Sequence, residues 1–110
     1  AWMAKPHGHV FWFNSRWYEY TGVTEKEALG WGWQSVVDPA ALPETVDRWK
    51  RSLETGEAFD MVIPLKGTDG RYRPFLTRVL PQQNDGGAVV RWFGTNTDIS
   101  EQKAAEEALK

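Results

Sequence analysis

His7 and His9 flank Gly8 in the turn-forming run Lys5-Pro6-His7-Gly8, and the chain holds no other imidazole. Two imidazoles without a third ligand make a poor zinc site, because zinc takes at least three protein ligands. They are expected to be an exposed pair on a turn. The absence of cysteine removes disulfides, thiolate metal sites and thiol-based mechanisms, and it leaves the redox compartment open. No Ser or Thr has a neighbouring base that the sequence identifies. The Asp and Glu residues fall on helix surfaces or caps, where solvation suffices. Gly30 and Gly32 interrupt a tryptophan pair, Trp31 and Trp33, instead of following a strand, so they do not form a phosphate loop. With no catalytic constellation and no metal cluster, the chain is not expected to be an enzyme.

The elements that must position any other kind of site follow from length and pattern. At 110 residues the chain supports one domain with one core. A hydrophobic content of 41% with 25% charged residues excludes a disordered tail. Net charge is -2, so nothing suggests a grip on nucleic acid or anionic lipid. Mean hydropathy is -0.56, and no run approaches the ~20 apolar residues of a membrane span. The unusual count is seven tryptophans. Ala1-Trp2-Met3-Ala4 lacks the basic and apolar regions of a signal peptide, and the Ala/Glu/Lys-rich segment from Glu101 carries no stop signal. A module of a longer multidomain protein is expected, its first strand truncated at the N-terminus.

Short apolar runs at 2–4 and 10–13 read as a hairpin around the Lys5–Gly8 turn. Asn14-Ser15 offers a cap for a helical turn from Arg16 to Tyr20, closed by Gly22. Thr24 and Glu27 form a capping box for a second helix through Leu29, which Gly30 ends. Gly30-Trp31-Gly32-Trp33 reads as irregular. Leu42, Val46, Trp49 and Leu53 make one stripe of a longer helix ending at Gly56. Beyond Gly56 the period changes to two. Phe59, Met61, Ile63 and Leu65 alternate with more polar neighbours, Asp69-Gly70 turns the chain, and Arg71 to Pro81 returns. Asn84-Asp85-Gly86-Gly87 turns it again into a strand from Ala88 to Thr97. Asp98 and Glu101 read as a capping box for an exit helix. Helices on one face of an antiparallel sheet make an α+β domain.

This order of elements resembles a PAS domain over nearly the whole chain. Asn14 to Gly22 (NSRWYEYTG), Asp69 to Arg73 (DGRYR) and Val90 to Ser100 (VRWFGTNTDIS) are similar to the PAS subfamily common in bacterial sensor histidine kinases and diguanylate cyclases. Asp98-Ile99-Ser100 is similar to the closing Asp-Ile-Thr of such domains, with Ser in place of Thr. The resemblance implies a five-stranded antiparallel sheet of order 2-1-5-4-3, with short helices on one face and a C-terminal exit helix. It places a sensor domain at 1–100 and the start of a signalling helix at 101–110. It also implies a cytoplasmic sensory or dimerisation module, in a parent free to be membrane-anchored, with a kinase or cyclase output domain in the same chain. Fold alone does not set the ligand.

Haem is not expected, because the helix from Leu42 to Thr55 lacks the histidine that haem-binding PAS domains use as axial ligand. Flavin-binding light-oxygen-voltage domains resemble this chain in layout. The place of their photoreactive Cys falls at Trp33, and their flavin-ring Asn, Asn and Gln fall at Leu65, Phe75 and Asn96. A flavin would bury unmet amide groups there at about 1–3 kcal/mol each. The cofactor expectation is therefore none, with a small ligand left open.

The same register gives a candidate pocket of Met61, Ile63, Leu65, Phe75, Thr77, Val79, Trp92 and Asn96 beneath Trp33 and Trp49. Either these side chains fill the space between themselves, as apolar residues at strand spacing commonly do, or they leave room for a small, largely apolar ligand oriented by Asn96 and Thr77. On the opposite face stand Phe93, Thr95 and Thr97 with Arg91 alongside. Apolar exposure there calls for a cover, either an N-terminal segment or a second subunit. A homodimer through this face and the terminal helices is expected, with no nucleic-acid or membrane contact. Asp98, Ile99, Ser100 and Glu101 form the expected relay between sheet and exit helix. A ligand-free dimerisation module is the alternative.

Overall fold

The computed structural model describes residues 1–109. Strands β1 (Trp2–Ala4) and β2 (Val10–Phe13) form a hairpin, and helices α1 (Ser15–Thr21) and α2 (Glu25–Ala28) follow. A short 3-10 helix spans Gly32–Val36, and α3 runs over Leu42–Thr55. The meander β3 (Phe59–Lys66), β4 (Tyr72–Gln83) and β5 (Val89–Asp98) leads into α4 (Ser100–Ala108). The sheet has the order β2-β1-β5-β4-β3, antiparallel throughout. Fold class, strand order and exit helix are those expected from the sequence.

The local chemistry explains the boundaries. At α2, the Thr24 hydroxyl accepts from the Glu27 amide at 3.2 Å, and the Glu27 carboxylate accepts from the Thr24 amide at 3.0 Å. These bonds satisfy donors that the helix leaves unpaired, and the one from the Thr24 amide holds the Glu27 carboxyl below its ordinary range. Gly22 and Gly56 close α1 and α3 in the left-handed conformation. In the β3–β4 turn Arg73 grips the Asp69 carboxylate, which also accepts from the Arg71 amide at 3.0 Å.

Tryptophans hold the helical layer onto the sheet. Trp49 of α3 meets Trp2 of β1 and Trp92 of β5 edge-on, at centroid distances of 5.7 and 5.3 Å. Trp17 of α1 stacks on Phe13 at 4.3 Å, and Tyr20 meets Phe75 at 4.8 Å. Each buried aromatic removes ~150–250 Å² from water, a gross gain of about 4–6 kcal/mol at ~25 cal/mol per Å². Trp2 lies directly over Gly94, where a Cβ would stand 1.8 Å from its ring. Only glycine fits at that crossing.

Four local expectations are corrected. Asn14 stands before α1 but its side chain makes no capping bond. The Gly30–Trp33 segment is not wholly irregular, since the 3-10 helix begins at Gly32. On α3 the deepest positions are Thr45, Trp49 and Ser52, while Leu42, Val46 and Leu53 are half-buried. Thr45 goes inside because its hydroxyl donates to the Ala41 carbonyl at 2.9 Å, which removes the cost of burying it. The Asp98/Glu101 capping box does not form, because Ile99 occupies the cap position and makes no side-chain capping bond. Asp98 is instead the last residue of β5, and its carboxylate accepts from both the amide (2.8 Å) and the hydroxyl of Ser100.

Candidate functional site

Between α1, the 3-10 helix, α3 and the sheet lies a cavity of about 60 Å³. That is several times the ~10–15 Å³ one water needs. Its floor is alternate residues of the meander: Ile63 and Leu65 of β3, Thr77 and Val79 of β4, and Asn96 of β5. The ladder sets Thr77 opposite Asn96, and the Thr77 hydroxyl donates to Asn96 Oδ1 at 3.0 Å. The walls and roof are mainly aromatic, with Trp17 from α1, Trp33 from the 3-10 helix and Trp49 from α3.

Of the residues expected at a pocket, Trp33, Trp49, Ile63, Leu65, Thr77, Val79 and Asn96 line this cavity. Three others do not. Met61 points inward by register but is only half-buried near the open edge of β3, Phe75 is covered by Tyr20, and Trp92 is closed off under Trp49. The indole of Trp92 donates instead to the Pro6 carbonyl at 3.4 Å. Sequence reasoning missed Trp2, Val10, Phe13, Trp17, Val37, Thr45 and Phe59. Phe59 carried a usable signal, because it begins the same alternation as Ile63 and Leu65.

The polar groups around the cavity are unevenly satisfied. Thr45 and Thr77 both donate their hydroxyl protons, to the Ala41 carbonyl and to Asn96. The indole N–H groups of Trp17 and Trp33 are buried and meet no partner. Among the described residues, no charged side chain lines the space.

On the other face of the sheet, Arg91, Phe93, Thr95 and Thr97 are all exposed, as expected for outward positions of β5. The row extends further than β5. Trp12 pairs with Met3, Met3 with Phe93, and Phe93 with Leu80, so four apolar side chains cross four strands in line. At the junction, Asp98 pairs with Phe75, and the Ile99 amide donates to the Pro74 carbonyl at 3.0 Å. Glu101 is exposed in the first turn of α4, and no residue of that helix is buried. His7 and His9 are exposed, and among the described residues no cluster of three or more potential ligands could hold a metal. No helix among the described residues is long and apolar enough to cross a membrane.

These features define a class, a sheet cupping a small space beneath short helices with an exit helix at its end, and the comparisons with known proteins give it a name. The family described as PAS fold matches residues 3–104, and the chain belongs to it. It is 38% identical over 109 residues to the protein y4lL of Sinorhizobium fredii, covering 99% of this chain and 13% of that one. It is 35% identical over 103 residues to the peroxide stress-activated histidine kinase mak1 of Schizosaccharomyces pombe, covering 94% of this chain and 6% of the kinase. The chain therefore spans a small part of these relatives. Among solved structures, the PAS domain of the Cronobacter turicensis RpfR quorum-sensing receptor in complex with C12:0 has a TM-score of 0.71 at 23% identity, covering 89% of this chain and 90% of that one. An RNA-binding light-oxygen-voltage receptor reaches 0.81 at 20% identity, covering 98% of this chain and 31% of that one.

Proposed function

We propose that this chain is the sensory module of a cytoplasmic bacterial signalling protein. It takes a small ligand between helices and sheet and passes the change through β5 and α4 to a C-terminal output domain of the kinase or cyclase kind. The observation that carries this reading is the position of Asn96. It stands at the cavity, is tied to Thr77, and lies two residues before Asp98, whose carboxylate holds the first turn of α4. A ligand that redirects the Asn96–Thr77 bond acts on the β4–β5 pairing at the end where the sheet hands over to the helix. The similarity to a histidine kinase supports the kind of output, and the complex of the RpfR PAS domain with C12:0 supports small-molecule binding by a domain of this fold. No haem or flavin belongs to this reading, since α3 offers no histidine and Leu65 and Trp33 are apolar where a flavin needs polar or thiol groups.

The test is Asp98→Ala, read in the isolated domain and in the parent protein. The domain should lose on the order of 1 kcal/mol for the bonds from Ser100 to the Asp98 carboxylate, and basal output of the parent should shift. A stability loss of that size with output and ligand response both at wild-type level would show Asp98 to be structural only. A second reading, a ligand-free dimerisation module, is favoured by the uncovered row Trp12, Met3, Phe93 and Leu80. Native mass spectrometry separates the two, since a dimer retaining no small molecule supports the second.

A further inference from the structure

What a molecule in the cavity can touch sets its class. Apart from Thr45, Thr77 and Asn96, the residues lining the space are aromatic or branched aliphatic. The Thr45 hydroxyl donates to the Ala41 carbonyl, and the Thr77 hydroxyl donates to Asn96 Oδ1. The indole N–H groups of Trp17 and Trp33 have almost no accessible surface, so they offer an occupant nothing. The surface open to a molecule is therefore almost wholly carbon. A buried water needs about two to four polar partners, and a polar molecule here would give up its bonds to bulk water for little in return. Size narrows the class further. An apolar cavity of ~150 Å³ takes benzene, and this one has about 60 Å³.

We propose that the cavity is a site for a neutral, apolar molecule smaller than benzene, a short hydrocarbon or an apolar gas, and that it selects against polar molecules of the same size. This rests on the ligand-sensing reading above and narrows it by polarity and by size. The occupant lies on Ile63, Leu65 and Val79 and against the Thr77–Asn96 pair. It therefore acts on the tie between β4 and β5 by contact, without offering a hydrogen bond of its own.

The probes are cyclopropane, ethanol and benzene, each titrated into the whole chain and followed by methyl and amide resonances. Cyclopropane and ethanol match in heavy-atom count and differ in polarity, while benzene is apolar and larger. Cyclopropane should shift the Ile63, Leu65 and Val79 methyls with a shared midpoint. The Ser100 amide, which donates to Asp98 ahead of α4, should move with them. Ethanol and benzene should bind about tenfold more weakly or worse, the first for its hydroxyl and the second for its bulk. Val79→Ile adds a methylene to the wall and should weaken cyclopropane by about fivefold or more. The wild-type spectra decide the matter even where that variant fails to fold. Ethanol or benzene binding as tightly as cyclopropane overturns the assigned class and leaves ligand sensing standing. Cyclopropane that shifts the methyls and leaves the Ser100 amide unmoved only fills a void, which overturns the sensing reading together with the proposal. Binding of none of the probes up to its solubility overturns the proposal and the cavity as the sensing site.

Discussion

Trp92 and Phe93 are neighbours on β5 and live in different solvents. Trp92 is fully buried under Trp49, whereas Phe93 keeps 42% of its surface exposed between Met3 and Leu80. The inner face of the sheet finds its cover in its own chain, because α1 and α3 bring Trp17 and Trp49 down onto it. The outer face carries an apolar row of comparable reach, with Trp12 at 41% and Leu80 at 57% exposed. Strand alternation builds both faces alike. What separates them is whether this chain supplies the cover, and the reading of the outer row as an interaction surface is the proposal that the following variants test.

The largest expected effect comes from substituting this adjacent pair. Trp92→Ala should cost about 3–5 kcal/mol, because it opens a void among residues that cannot collapse into it. Phe93→Ala should stay within about 0.5 kcal/mol in the isolated domain, as surface substitutions usually do. Urea midpoints of the two variants give the comparison directly. Similar losses would mean that the outer row is covered in solution by this chain itself.

This contrast also explains how much the sequence discloses. Period two in β3, β4 and β5 made Ile63, Leu65, Thr77, Val79 and Asn96 legible as inward residues, and Phe93 as outward. Trp17 was not legible, since α1 is seven residues long and so short a helix does not fix its inner side by periodicity. β2 defeats alternation differently. Its register shifts where Phe11 is extra, so Val10 and Phe13 face inward three residues apart. Thr45 lies outside the apolar stripe of α3, and only its bond to the Ala41 carbonyl explains its burial. The junction was misread by a single position, because Asp98 bonds Ser100 and leaves the cap position to Ile99. A side chain that can bond its own backbone escapes pattern reading.

A smaller change sharpens the outer half of the comparison. We expect Phe93→Lys to leave the urea midpoint of the domain nearly unchanged and to abolish self-association, since the charge falls at the centre of the row that a second copy would cover. Sedimentation equilibrium of wild type and variant at matched concentrations reads it. A dimer that persists with wild-type affinity removes the outer face as the dimer surface and leaves the terminal helices as its location.

The smallest effect concerns what fastens the helical layer to the far end of the sheet. Tyr20 of α1 donates its hydroxyl to the Leu65 carbonyl at 2.6 Å, and the Thr68 amide donates to the Tyr20 carbonyl at 2.9 Å. Arg73 lies over the Tyr20 ring at 5.9 Å while gripping Asp69, so the β3–β4 turn and α1 share one guanidinium. Hydrogen bonds from Arg73, then from the Arg71 amide, lower the Asp69 carboxyl to about 2. Its unfolded value is ~3.9, so the folded state resists protonation more than the unfolded chain does. The stabilisation is therefore present above the unfolded value and lost as pH falls through it toward about 2. The pair is exposed, so the effect should be small and should shrink with added salt. Asp69→Asn should lower the urea midpoint slightly near neutral pH, and the gap to wild type should close as pH approaches about 2. A gap that stays constant across that range would assign the contribution to the turn geometry, since an amide at position 69 can still accept from Arg71 but cannot pair with the charge of Arg73.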